Sequence, residues 1–84
     1  MSDLLAVVGV EINDEELLSE IARRRPDRVT VLAEAERDED RVASLVDAIE
    51  ERTGADVVGM AGSRSQLRGW RFDRVVGAGS PVAV

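Results

Sequence analysis

The chain has 84 residues with no cysteine, histidine, lysine or tyrosine, and its 17 acids against 11 arginines leave a net charge of −6. These absences exclude disulfides, thiol chemistry, most zinc sites and the usual general base at neutral pH, and the acidic balance turns the whole molecule away from nucleic acid. A chain this short closes one core and buries roughly 60% of its extended-chain surface, so a single domain over residues 1–84 is expected, with a core that a partner subunit would supplement.

"LLAVVGV" (4–10) is a short continuous apolar run rich in β-branched residues, which suits a strand covered on both faces. A helix follows: Asn13 is its N-cap and Glu16 the return partner of a capping box, Leu17, Leu18 and Ile21 form an apolar stripe, and Arg23 to Arg25 with Pro26 end it. "RVTVLA" (28–33) reads as a second strand. "DEDRVASLVDAIEERTG" (38–54) reads as a second helix, with Val42, Leu45, Val46 and Ile49 on one face and Gly54 as its C-terminal cap. "ADVVGMAG" (55–62) is a third strand. Alternating strands and helices with short links predict an α/β domain, a small Rossmann-like or flavodoxin-like three-layer sandwich on a parallel sheet of about four strands. The tail has two readings: a helix over 64–76 with "PVAV" (81–84) as the fourth strand, or a loop over 63–71 with "FDRVV" (72–76) as that strand.

Parallel α/β sheets bind ligands at the carboxyl ends of their strands. The first such loop carries Glu11, Asp14, Glu15 and Glu16, which repel a phosphate; these acids either decorate the first turn of the helix or hold a divalent cation. The second, "AEAERDED" (33–40), is a mixed charge run that reads as a solvated link. The third differs in sign. Residues 1–53 hold seven arginines against fifteen acids, whereas residues 54–84 hold four against two. Gly59 and Gly62 permit close backbone approach, Ser63 and Ser65 offer hydroxyls, and Arg64 and Arg68, with Arg71 nearby, offer forked donors, so these residues are the candidate anion site. The competing reading pairs Arg64, Arg68, Arg71 and Arg74 with the acids of the first two strand-helix units and uses Trp70 and Phe72 to finish the core.

"ADVVGMAGSRS" (55–65), "RVV" (74–76) and "SPVAV" (80–84) resemble the C-terminal half of universal stress proteins, small α/β proteins of the adenine-nucleotide-binding class. The resemblance covers about thirty residues. It implies an adenine nucleotide at the third loop and a homodimer joined through the last strand. The family's G-x-x-G spacing followed by G-[ST] is not reproduced, since counting from Gly59 puts Phe72 where the last glycine belongs. With no paired carboxylates at the basic loop, catalysis is disfavoured and no catalytic or metal-binding residue is assigned. Two functions are left: a regulatory or stress-type module binding a small anionic nucleotide, and an interaction module whose exposed edge strand and Trp70 surface meet a protein partner without any ligand. With no eighteen-residue apolar run and no basic leader in "MSDLLAVVGV", the expectation is a cytoplasmic protein off the membrane.

Overall fold

A computed structural model describes residues 2–9, 13–67 and 69–77, apart from the Arg64 side chain. The elements run β1 (Asp3–Val8), α1 (Asp14–Arg24), β2 (Arg28–Ala33), a 3-10 turn (Glu36–Asp38), α2 (Glu39–Thr53), β3 (Asp56–Ala61), a second 3-10 turn (Arg64–Leu67) and β4 (Arg74–Gly77). All four strands are parallel, in the order β3-β2-β1-β4. The domain is therefore the expected α/β sandwich of the Rossmann-like or flavodoxin-like kind. The fourth strand, Arg74–Gly77, overlaps the 72–76 strand of the second reading of the tail, and residues 81–84 lie outside those described. No helix among the described residues is long and apolar enough to cross a membrane.

The helices form where their ends are satisfied. Asn13 Oδ1 accepts from the Glu16 N–H at 2.8 Å, and the Asn13 side-chain amide donates back to Glu16 Oε1 at 3.2 Å, so the capping box closes. α1 ends at Arg25, a non-glycine residue in the left-handed region (φ 49°, ψ 58°), with Pro26 barring continuation. α2 ends at Gly54 with φ 74°, a conformation open to glycine without the Cβ penalty.

Alternation along the strands then sets two apolar faces. Leu4, Ala6 and Val8 of β1 and Val29, Val31 and Ala33 of β2 meet Leu17, Leu18 and Ile21 of α1 and Val42, Leu45 and Ile49 of α2. Both helices thus lie on one face, as right-handed crossovers running in one direction require. Leu5, Val7 and Leu32 point to the other face, where Leu67 seals them and Met60, Phe72 and Val75 pack alongside. Leu67 and Phe72, from the residues between β3 at one edge and β4 at the other, thus cover the second face in place of a helix layer.

Crossing the sheet leaves its edges unequal. β4, described from Arg74 to Gly77, begins at a charged residue beside β1, whereas β3 has six residues, with Asp56 at its start the one charge. The helical layer bears closely on β3: a Cβ on Gly59 would overlap Val42 Cγ1 and stand 3.1 Å from Val46 Cγ2, so α2 sits on the bare backbone there.

Candidate functional site

The residues singled out at the third strand end have separate structural tasks. Gly59 lies within β3, and the close approach it allows is that of α2. Gly62 donates its N–H to the Ala33 carbonyl at 3.0 Å, and the Gln66 side chain occupies the space a Cβ would fill. Ser63 and Ser65 hydroxyls bond each other at 2.8 Å; Ser63 Oγ also accepts the Ser65 N–H at 3.1 Å, and its carbonyl accepts the Gln66 N–H at 3.0 Å. The Gly62 N–H is thereby engaged by β2, and the Ser65 N–H and one of the two serine hydroxyl donors are engaged within the turn. The Arg64 side chain and Arg68 lie outside the described residues. The other two arginines in this stretch, Arg71 and Arg74, make no ion pair among the described residues.

Asp14, Glu15, Glu20 and Asp38 pair instead with arginines of the two helices. Arg41, in the first turns of α2, donates to Asp14 Oδ1 at 2.6 Å and 2.9 Å, to Asp38 Oδ1 at 3.2 Å and to the Gly9 carbonyl at 3.2 Å. It ties together the end of β1, the start of α1 and the turn before α2. The hydrogen bond to Asp14 holds the Arg41 guanidinium above its ordinary pKa, with Asp38 adding to it and partial burial opposing. Asp38 is buried, although the sequence places it in a run that reads as a solvated link; the signal was Arg41 three residues on, within reach of one helical turn. Glu15 meets Arg52 at 3.2 Å. Asp14 and Glu15 thus brace the two helices, and among the described residues no three carboxylates converge as a cation site would need.

Below the sheet, Asp3, Arg28, Thr30, Trp70, Arg71 and Phe72 line a shallow hollow of about 210 Å³. The Trp70 and Phe72 rings stand 6.1 Å apart, tilted by 32°. Phe72 is half-buried on the second core, but Trp70 is 55% exposed, so it does not finish the core as the alternative reading had it.

The outer edge of β3 is the remaining feature, and its geometry follows from β2. Asp56 and Gly62 donate to the Asp27 and Ala33 carbonyls at 3.1 Å and 3.0 Å. In a parallel pair each residue turns its N–H and C=O to the same side, and the side alternates. Asp56, Val58, Met60 and Gly62 therefore address β2, and Val57, Gly59 and Ala61 aim both groups outward. β2 is the one strand paired with β3 among the described residues. Beside this open edge Val58 is 53% exposed on the second face.

No family model matches this chain, and no curated protein or solved structure matches it. Geometry alone therefore bears on function.

Proposed function

We propose that this protein is a non-catalytic interaction module that binds a protein partner by adding a strand to the outer edge of β3, without a ligand. One observation carries the reading: β3 offers the outward groups of Val57, Gly59 and Ala61 along six residues that hold no proline and no charge beyond Asp56. Soluble proteins blunt such edges with lysines, prolines, bulges or very short strands, and β3 has no lysine or proline along its six residues. Strand addition takes its affinity from main-chain hydrogen bonds and its selectivity from alternate side chains. Val58 and Met60 supply those side chains on the second face. The hydrogen bonds spent inside residues 62–66 weigh against the other reading, an anionic nucleotide held at Gly62, Ser63, Arg64, Ser65 and Arg68.

Backbone amide shifts of the dilute chain, followed while short uncharged extended peptides are added, test this reading. The sequence of residues 55–62 belongs among the peptides. Shifts and slowed exchange centred on the Val57, Gly59 and Ala61 amides are expected. If every peptide leaves those amides unmoved, the reading fails.

A further inference from the structure

We infer that the strand received at the β3 edge is β3 of a second copy, paired antiparallel about a two-fold axis through Gly59, so that the two sheets run on as one. The inference rests on the interaction reading above and adds the partner and its register.

A two-fold interface brings a surface against itself, so the two strands must run antiparallel and the sequence must suit its own reverse. Placing Gly59 opposite Gly59 of the second copy sets Val57 opposite Ala61 and Val58 opposite Met60. All the outward residues then exchange N–H···O=C bonds with outward residues. A slip of two positions in either direction strands Val57 or Ala61 beyond the end of the opposing β3. The same register puts Asp56 across from Gly62, so the strand's one charge meets a neutral residue and stays away from its own image. On the second face, Val58 with Met60 makes an apolar cross-strand pair on either side of the axis, covering the exposed valine. On the helical face the axis passes through residues that have no side chain, beneath the layer where α2 sits closest to the sheet.

Edge pairing of this kind buries less than the ~1,200 Å² at which standard interfaces begin, and a net charge of −6 on each copy opposes association. The dimer is therefore expected to be reversible and concentration-dependent, tightening with added salt.

The chain has no cysteine, which makes the register directly testable. The double variant Val58→Cys/Met60→Cys places thiols on directly opposite, non-hydrogen-bonded positions, where Cα atoms lie about 4.5 Å apart and a disulfide closes without strain. Mild oxidation is expected to link it into a covalent dimer, at least about tenfold more completely than either single variant. Light scattering should show the intact chain dimeric at high concentration and Ala61→Pro monomeric with an unchanged circular dichroism spectrum, because that proline removes an outward N–H and no bond to β2. A chain monomeric at every concentration, or Val58→Cys alone linking as well as the double variant, overturns the inference. In the first case, peptide-induced shifts at Val57, Gly59 and Ala61 would still leave the interaction reading standing; their absence would remove both.

Discussion

Adding one methyl group at Gly59 probes the closest approach of helix and sheet. In Gly59→Ala the new Cβ would overlap Val42 Cγ1 and stand 3.1 Å from Val46 Cγ2, inside the ~3.5–4.0 Å of ordinary carbon contact. Val42 has little room to yield. It is β-branched, which fixes its side chain in a helix, and it is buried on a helix anchored by Leu45 and Ile49. α2 must lift, and overpacking of this kind costs about 1–3 kcal/mol, partly offset by the ~0.4–1 kcal/mol gained from a stiffer unfolded chain. Val42→Ala alone removes the equivalent of two methylenes at ~0.8 kcal/mol each, or about 1.6 kcal/mol. In the double variant the methyl at 59 fills part of the space vacated at 42. The combined loss should then fall short of the two single losses by about 1 kcal/mol or more. Urea unfolding of the dilute, monomeric protein reads this from midpoints at unchanged slope. Losses that add to within ~0.5 kcal/mol, or a Gly59→Ala protein as stable as the parent, would show that α2 does not rest on the β3 backbone.

Further outcomes follow from other contacts. Arg41→Met leaves buried Asp38 without its charged partner and frees the Gly9 carbonyl; allowing for the part of Arg41 that water reaches, thermal melts should show a loss of about 2–3 kcal/mol, roughly 8–24 °C for a domain of this size. Leu45→Ala should cost ~2–5 kcal/mol by urea unfolding, since Leu45 is fully enclosed between α2 and the sheet. Arg25→Gly should raise stability by about 0.5–1 kcal/mol on the same assay, because it relieves a non-glycine residue from left-handed backbone. Trp70, the sole tryptophan, should be quenched by acrylamide in the native protein nearly as well as in urea; a strongly protected fluorophore would contradict its position on the surface.

Local chemistry in the sequence was enough for the elements and for most of the core. Asn13 with Glu16, Gly54, and the stripe Val42, Leu45, Val46 and Ile49 each act within a few residues, and each holds its expected place. Strand order depends on a crossing that no local pattern encodes, which is why β4 beside β1 was open between two segments. β3 misleads for a related reason: "DVVGMA" is as apolar as the central strands, yet it ends the sheet, and composition does not tell an enclosed strand from an edge awaiting a partner. Trp70 shows the same limit, since its size suits a core and a partner-binding surface alike. Asp38 erred the other way, drawn inward from a charge run by Arg41. At the third loop the basic residues were legible, but the hydrogen bonds that Ser63 and Gln66 spend inside the turn depend on the fold.

Placing β4 next to β1 also bears on how the chain reaches this state. Asp3 and Asp73, which join the starts of these strands, are 70 residues apart. The β1 and β2 pairing closes over a loop of about a third that length, and β2 with β3 over a similar one. Long closures carry more entropy and are made late, so the β1–β4 ladder should be the slow, high-contact-order step after a β1-α1-β2-α2-β3 unit has formed. On the ribosome the consequence is sharper. Until residues 74–77 emerge, β1 itself is a sheet edge, and Leu5 and Val7 lack Val75 beside them. A nascent chain stalled short of that point would expose two apolar edges, and chaperone dependence should end abruptly as the fourth strand docks.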